Sequence, residues 1–308
     1  MTDRQAGTTH SDMPVVEAPT RPALRWHGGK WLLAPWIIAH FPEHRVYTEV
    51  YGGAASVLLR KLRSYAEIYN DLDGDVVSLF RVLRDPAQGQ ELRRRLELTP
   101  FAREEFKNSY QPTEDPVEQA RRLVIRSFMG FGTNAASGKG FQGGFRCETD
   151  RKWLDCTKTG FRAASNLSGT TPAHDWVNYP NCLEAITKRF RAVVIEQRPA
   201  LEVLEQHDKP MALHYVDPPY VHATRKPRQH KNYTHEMTDQ DHRDLAGVLK
   251  GLKGMVVLSG YPSDLYAELY GYWHQVTRAA RADGARKRVE VLWLNQAAWD
   301  RMPQGRLV

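Results

Sequence analysis

The stretch VYTEVYGGAASVLLRKL, residues 46–62, indicates the fold of this chain because two kinds of local structure meet in it. VYTEVYGG (46–53) reads as a strand that ends at a pair of glycines, and the residues that follow have helical character. A strand that turns directly into a helix is the first part of a βαβ unit. The stretch therefore predicts an α/β fold with a tight turn at Gly52 and Gly53.

The same alternation of strand and helix recurs on both sides of a long interruption. Residues 65–71 form the second predicted strand, and the helix after it places Val76, Leu79, Phe80 and Leu83 on one face. Later in the chain we predict strands at 192–196, 211–217 and 254–260, and a hairpin at 273–295 with Asp283 and Gly284 at its turn. Because the strands are continuous apolar runs, we predict a doubly wound sheet covered by helices on both faces.

The interruption covers residues 86–189, which are rich in Arg, Gly, Ser and Thr and lack the strand–helix rhythm. We expect them to form an inserted, mainly helical lobe, while residues 23–85 and 190–308 together form the α/β domain. Residues 1–22 are polar, contain three prolines and lack the apolar core of a signal peptide. For this first segment we expect a flexible tail.

The composition points towards a protein that binds a polyanion in a reducing compartment. The formal net charge is +7, a balance that is typical of, but not confined to, proteins that bind nucleic acid. Cys147, Cys156 and Cys182 lack CxxC spacing, which argues against a disulfide framework and a four-cysteine zinc site. No run approaches the roughly 18 apolar residues of a membrane span, and the histidines between 207 and 242 lack metal-ligand spacing.

Two glycine turns carry candidate ligand-binding residues. In doubly wound folds the turn at Gly52 and Gly53 brings backbone amides close to a ligand. Asp71 lies 71 − 52 = 19 residues after Gly52, which matches the interval of roughly 20 residues at which an acid meets a ribose. The alternative is that the glycines only form a tight turn and that Asp71 is a surface aspartate without a ligand. In RWHGGK (25–30), Trp26 and Lys30 suit an adenine ring and a carboxylate, with a solvated turn as the alternative.

The stretch LHYVDPPYVH, residues 213–222, carries the candidate catalytic groups. Asp217 follows a strand at the edge where open α/β sheets bind ligands, and Pro218 and Pro219 fix the backbone beyond it. The Asp217 carboxylate and the Pro218 carbonyl can accept hydrogen bonds from the exocyclic amine of a planar base, which leaves the nitrogen lone pair free to attack an electrophile. Tyr220 can stack on that base. A structural Pro-Pro turn beside a solvent-facing acid is the alternative.

WHGGK, EVYGGAAS, YNDLD and VDPPY occur in this order, and with them the chain resembles the Dam-like family of DNA adenine methyltransferases. The resemblance continues in LSGYPSDLYAELY (258–270) and EVLWLN (290–295), and it covers about residues 24–84 and 190–295. It implies a Rossmann-like methyltransferase sheet, S-adenosylmethionine as methyl donor, and double-stranded DNA as the partner whose adenine is flipped out and methylated. Ala54 and Ala55 stand where the family often has further glycines.

The resemblance also implies roles for single residues. The catalytic loop would consist of Asp217, Pro218, Pro219 and Tyr220. The donor would be contacted by Trp26, Lys30, Tyr51, Gly52, Gly53, Asp71 and Asp217, with Glu196 and Gln197 beside its adenine pocket. This chemistry implies no metal.

Basic residues in the lobe and after DPPY are candidates for DNA contact, with a solvated surface charge as the alternative for each. They are Arg121, Arg122, Arg126, Arg146, Lys152 and Arg162 in the lobe, and Lys226, Arg228 and Lys231 after DPPY. An RNA adenine methyltransferase, a methyltransferase of the cytosine amine and an inactive DNA-binding relative remain alternatives. We expect a monomer in the cytoplasm of a bacterial or phage-infected cell.

Overall fold

The described strands form one seven-stranded sheet with the order β3-β2-β1-β4-β5-β7-β6. The computed structural model describes residues 18–130, 171–225, 233–281 and 287–302. The strands are β1 (Val46–Glu49), β2 (Ala66–Asn70), β3 (Val193–Glu196), β4 (Ala212–Val216), β5 (Met255–Gly260), β6 (His274–Arg281) and β7 (Lys287–Leu294).

Five neighbouring strands of the sheet are parallel, and the last two form an antiparallel pair. Val46 of β1 lies in register with Ala66 of β2 on one side and Ala212 of β4 on the other. Strand β7 runs against β5, with Gly260 opposite Val291. The predicted Rossmann-like α/β fold is thus confirmed. The hairpin strands 274–281 and 287–294 are also found, whereas its predicted turn lies outside the described residues.

Helices cover both faces of this sheet. In chain order they are α1 (Ala34–Ala39), α2 (Ser56–Arg60), α3 (Gly74–Arg84), α4 (Pro86–Leu98), α5 (Arg103–Asn108), α6 (Pro116–Met129), α7 (Pro172–Asn178), α8 (Leu183–Phe190), α9 (Ala200–His207), α10 (Asp239–Gly251), α11 (Asp264–Tyr270) and α12 (Gln296–Trp299). Short 3₁₀ turns occupy Pro180–Cys182 and His222–Thr224. Within the described ranges, none of these helices is long and apolar enough to cross a membrane.

Each face of the sheet has its own hydrophobic core. On one face the rings of Phe80 in α3 and Phe190 in α8 stack with centroids 4.2 Å apart, and the buried ring of Tyr69 packs edge-on against both. On the other face, Leu245 of α10 and Tyr266 of α11 pack with the inner strands. The predicted apolar face of α3 is buried, because burial of such a face is what stabilises an amphipathic helix.

The helices between residues 86 and 190 share the first of these cores. Leu92, Phe106 and Leu123 belong to the same buried cluster as Phe80 of α3. A buried ion pair adds to this packing, since Arg189 of α8 donates two hydrogen bonds, of 2.6 and 2.9 Å, to Glu67 of β2. These helices are therefore joined to the sheet by continuous packing and by charge.

Candidate active site

The turn after β1 presses its glycines against two aromatic rings. A Cβ on Gly52 would lie 2.2 Å from Cε2 of Tyr69, and one on Gly53 would lie 2.8 Å from Nε1 of Trp26. Tyr69 is fully buried and donates a 2.7 Å hydrogen bond to the Gly53 carbonyl, so its ring cannot give way. Gly53 also has a φ of +46°, in the left-handed region that favours glycine. Packing and conformation both require this glycine pair.

Two alanines complete the turn. Ala54 and Ala55 are buried, and Ala55 adopts a φ of +53° just before α2. A left-handed conformation costs an L-residue about 1–2 kcal/mol, which explains why further glycines suit this turn. The Ala55 amide donates a 2.7 Å hydrogen bond to the Gly52 carbonyl and holds the turn closed.

Asp71 ties the end of β2 to the glycine turn. Its Oδ2 accepts a 2.7 Å hydrogen bond from the Gly53 amide, and its Oδ1 accepts one of 2.8 Å from the Asp73 amide. Burial raises the pKa of Asp71 to about 6, although these two hydrogen bonds oppose the rise. The carboxylate therefore fixes the turn and also borders the cavity beside it.

The segment before α1 brings a lysine to the sheet edge. The Lys30 ammonium lies 2.8 Å from Oδ2 of Asp217 and donates a 2.9 Å hydrogen bond to the Gly28 carbonyl. Its side chain is only 7% exposed. Burial alone would lower the pKa of Lys30, but the carboxylates of Asp217 and Glu290 outweigh it and hold the pKa above its ordinary value. Lys30 is therefore a charged group inside the site.

Asp217 follows the carboxyl end of β4, with one carboxylate oxygen engaged and the other not. Oδ2 pairs with Lys30, whereas Oδ1 is buried and has no hydrogen-bond partner among the described residues. Burial raises the pKa of Asp217, and the nearby Lys30 opposes this rise. Buried carboxylate oxygens normally accept a hydrogen bond. An unpartnered one beside a cavity therefore indicates a place for a hydrogen-bond donor that belongs to a ligand.

Tyr220 completes the DPPY turn and is held from three sides. Its hydroxyl donates a short hydrogen bond to Oε1 of Glu290 in β7, and the Lys30 ammonium lies 4.7 Å from its ring centroid. The ring of Tyr261, in the loop after β5, packs edge-on at a centroid distance of 4.6 Å. Pro218 and Pro219 are buried beneath this arrangement, so the loop has a fixed shape.

A cavity of about 540 Å³ lies at the carboxyl ends of the parallel strands. Trp26, Lys30, Tyr51, Gly52, Gly53, Asp71, Asp217 and Pro219 of the predicted residues border it. Among its described lining residues, acids far outnumber the single lysine: they are Glu49, Asp71, Asp73, Asp217, Glu236, Asp241 and Asp244. A cavity with this charge, in a chain of net charge +7, favours a positively charged ligand.

Glu196 and Gln197 do not border the cavity, although they were predicted beside the adenine pocket. Gln197 instead faces the start of α3, where its Nε2 would lie 3.1 Å from a Cβ on Gly74. The wall on this side is made by Pro199, Ala200 and Leu201, two to five residues further along the chain. Contact of Glu196 and Gln197 with the adenine of a bound donor stays a prediction.

Three arginines predicted to contact DNA have structural partners instead. Arg126 is buried and binds Asp75 at 2.7 Å and the Ser109 carbonyl at 2.5 Å. Arg121 and Arg122 pair with Glu118 of the same helix at 2.7 Å each. The three side chains are thus engaged by intramolecular partners, and DNA contact by them stays a prediction. Arg146, Lys152, Arg162, Lys226, Arg228 and Lys231 lie outside the described residues.

A segment that the sequence did not single out forms another wall of the cavity. Residues 233–237 border it, and the Tyr233 hydroxyl would lie 2.5 Å from a Cβ on Gly28, where φ is +72°. The ring of Tyr233 packs edge-on against His27 at a centroid distance of 5.1 Å. An aromatic residue inside the polar stretch QHKNYTHEM gives no periodic signal, so only its neighbours in space reveal its place.

A sheet with this strand order, a glycine turn after its first strand and an acid at the end of its fourth strand define a Rossmann-like enzyme of the methyltransferase class. The chain belongs to the D12 class N6 adenine-specific DNA methyltransferase family, whose model matches residues 26–153 and 168–280. No match to the chain was found among curated proteins. Membership makes the protein an adenine-specific DNA methyltransferase, which acts on DNA and requires a methyl donor.

Within the described residues, no group of three or more His, Cys, Asp or Glu side chains is arranged to hold a metal ion.

Proposed function

We propose that the protein transfers a methyl group from S-adenosylmethionine to the exocyclic amine of an adenine that has left the stack of double-stranded DNA. The observation that carries this proposal is Oδ1 of Asp217, a buried carboxylate oxygen without a partner among the described residues. It belongs to a residue that borders the 540 Å³ cavity. The family supports methylation of adenine in DNA, and the cavity supports the identity of the donor.

The cavity suits S-adenosylmethionine in size, charge and shape. Ligand pockets typically enclose about 300–1,000 Å³, and this one lies within that range at 540 Å³. Its acidic lining favours a ligand that carries positive charge, as the sulfonium and ammonium groups of the donor do. Gly52 and Gly53 have no room for a Cβ. Because they carry no side chain, nothing of their own covers the backbone on the cavity side.

Several lining residues would hold this donor. We assign Trp26, Tyr51, Asp71 and the backbone of the glycine pair to its binding, and Pro199–Leu201 to the border of its adenine end. When bound, S-adenosylmethionine supplies an electrophilic methyl group on a positively charged sulfur. The side chains of the cavity position this methyl group opposite Asp217 and the DPPY loop.

Asp217 and Pro218 prepare the target amine. Oδ1 of Asp217 accepts one N–H of the amine, and the Pro218 carbonyl accepts the other. With both protons engaged, the nitrogen lone pair points away from the ring plane, and the two acceptors stabilise the positive charge that develops on nitrogen. Asp217 is also the nearest carboxylate for the proton that the nitrogen gives up. Lys30 keeps Asp217 oriented by occupying Oδ2.

The target base must leave the duplex to reach this loop. The Asp217 side chain is only 15% exposed, whereas the amine of a paired adenine remains within the base stack. Turning the base out costs a few kcal/mol, on the order of the unstacking energy of one nucleotide. Stacking on an aromatic ring returns roughly 1–3 kcal/mol per base, and the Tyr220 ring is the aromatic group of the loop.

The remaining parts of the proposal concern DNA contact. We propose that residues 86–189 recognise the target, with Arg146, Lys152 and Arg162 among the contacts. Lys226, Arg228 and Lys231 would bind the DNA backbone beside the target base. Arg121, Arg122 and Arg126 are left out because of their intramolecular partners. A monomer suffices, since one chain supplies both the cavity and Asp217.

Methyl transfer can be tested by incubating the protein with radiolabelled S-adenosylmethionine and unmethylated duplex DNA, or RNA, followed by analysis of the nucleosides. We expect labelled N6-methyladenine in DNA. Label that appears in RNA alone, or in cytosine, would overturn the proposal. Asp217→Ala should abolish transfer while leaving DNA binding intact. Asp264→Asn, at the exposed start of α11, is the matched control and should retain full activity.

A further inference from the structure

Glu290 is a buried carboxylate beside the apolar end of its strand. It lies in β7, directly before Val291, Leu292, Trp293 and Leu294, all of which are buried. Glu290 itself is only 2% exposed. A carboxylate in this position costs free energy unless it is paired and hydrogen-bonded, so its surroundings show what it does.

The partners of Glu290 belong to the proposed methyl-transfer site. The hydroxyl of Tyr220 donates its hydrogen bond to Oε1 of Glu290. The other charged or titratable groups that act on this cluster are Lys30, Asp217 and Tyr261, and Arg278 of β6 lies opposite Glu290 in the strand ladder. Burial raises the pKa of Glu290, while Lys30 and the Tyr220 hydroxyl oppose the rise.

The DPPY loop is thereby anchored at both ends by different parts of the chain. Lys30, from before the first strand, binds Asp217 at 2.8 Å, and Glu290, from the seventh strand, binds Tyr220. The two prolines between these anchors restrict the backbone but cannot fix the rotation of the Tyr220 side chain. The hydrogen bond at the hydroxyl end restricts the swing of the side chain about its Cα–Cβ bond, while Lys30 and Tyr261 pack against the ring itself.

We propose that Glu290 is a positioning residue that holds the Tyr220 ring in the place where the target adenine stacks on it. The inference rests on the proposed function, since it takes Tyr220 as the stacking ring. Base stacking depends on overlap of the two rings, so a Tyr220 side chain whose hydroxyl end is no longer held would stack on the base for only part of the time. Glu290 then affects the target base and leaves the donor cavity, which it does not border, unchanged.

The test compares four variants of the full-length protein: Glu290→Leu, Glu290→Gln, Tyr220→Phe and the double variant Glu290→Leu/Tyr220→Phe. The assay measures kcat and KM for unmethylated plasmid DNA, and Kd for S-adenosylmethionine. Loss of a hydrogen bond to a charged group should lower kcat/KM for DNA by about 10- to 100-fold in Glu290→Leu. The Kd for the donor should not change.

Two comparisons separate positioning from a merely structural role. Glu290→Gln should regain most of the lost kcat/KM, because an amide oxygen accepts a hydrogen bond from the Tyr220 hydroxyl. Tyr220→Phe and the double variant should have equal kcat/KM, because Glu290 has nothing left to hold once the hydroxyl is gone. Glu67→Gln, which weakens the buried ion pair with Arg189, is the control: it should lower the melting temperature and leave kcat/KM unchanged.

The measured activities distinguish a failure of the proposed function from a failure of the positioning role. A wild-type protein that methylates no DNA would overturn the proposed function. An active wild-type protein with an unaffected Glu290→Leu variant would overturn the positioning role alone. So would losses that multiply in the double variant, because they would show that Glu290 acts independently of Tyr220.

Discussion

Replacing Lys30 by methionine would remove the one lysine or arginine among the described residues that line the cavity. Methionine preserves much of the apolar length of the side chain and deletes the ammonium that lies 2.8 Å from Asp217. Lys30 opposes the rise that burial imposes on the pKa of Asp217. In Lys30→Met that opposition is lost, so the pKa of Asp217 must increase further and its carboxylate must ionise at a higher pH.

The size of the effect follows from the contact. A neighbouring opposite charge lowers the pKa of an aspartate by about 1–3 units, and its loss should raise the pKa of Asp217 by a similar amount. If the ionised carboxylate is the active form, the acid limb of the kcat profile moves up by about 1–3 pH units. On that limb the rate falls about tenfold per unit, and it recovers at alkaline pH.

The assay is kcat against pH, over about pH 5 to pH 9, at saturating DNA and methyl donor. Lys61→Met is the matched control, since Lys61 is also buried and binds Glu67 at 2.7 Å on the opposite edge of the sheet. Lys30→Met should lose about 3–5 kcal/mol of unfolding free energy, the cost of breaking a buried pair, and Lys61→Met should lose less because Glu67 keeps its two hydrogen bonds from Arg189. Only Lys30→Met should shift the acid limb of the kcat profile. The acid limb of Lys30→Arg should match that of the wild type. An unshifted limb in Lys30→Met, or an equal shift in Lys61→Met, would refute the reasoning.

Two further predictions concern the turn after β1 and the strand before it. Gly52→Ala should lower the unfolding free energy by about 1–3 kcal/mol and weaken donor binding in calorimetry, because its Cβ would meet the buried Tyr69 ring. Gly247→Ala, with open space around it in α10, should instead stabilise by about 0.5–1 kcal/mol, and equal effects would contradict the packing argument. Burial raises the pKa of Glu49 from 4.5 to about 8, so unfolding free energy should fall as pH rises through that window, by at most about 1.4 kcal/mol per unit. Denaturant titrations of Glu49→Gln should lack this slope; a slope equal to that of the wild type would show that Glu49 is not its source.

The parts of the fold that local patterns determine could be predicted from the sequence. The strand at 46–49, the glycine turn and the face of α3 follow from apolar runs and helical spacing, which act over a few residues. The order of strands in the sheet was not predicted, since it depends on contacts between distant segments. The same limit applies at the site. The end of β3 was predicted, whereas the cavity wall begins at Pro199–Leu201, after the chain has turned.

Burial and pairing of charged residues were the least predictable features. Arg126 resembles a surface cation in sequence, yet it binds Asp75, which lies 51 residues earlier. Glu290 stands in an alternating stretch and could equally face solvent; its partner Tyr220 is 70 residues away. A hint was present in both cases, because each charge adjoins an apolar run, and such a charge needs a partner when the run is buried.

The segment at residues 23–30 connects Asp217 to the helices between residues 86 and 190 by a very short path. The Ala23 carbonyl accepts a 2.8 Å hydrogen bond from Tyr179, and the Arg25 amide donates one of 2.7 Å to Ser127 in α6. A few residues later, Lys30 binds Asp217. A displacement of α6 relative to the sheet would therefore pull on the ammonium that orients the acid, and a misplacement of about 1 Å can cost roughly 100-fold in rate. A movement of the described helices between residues 86 and 190 would thus reach Asp217 through this short segment of backbone.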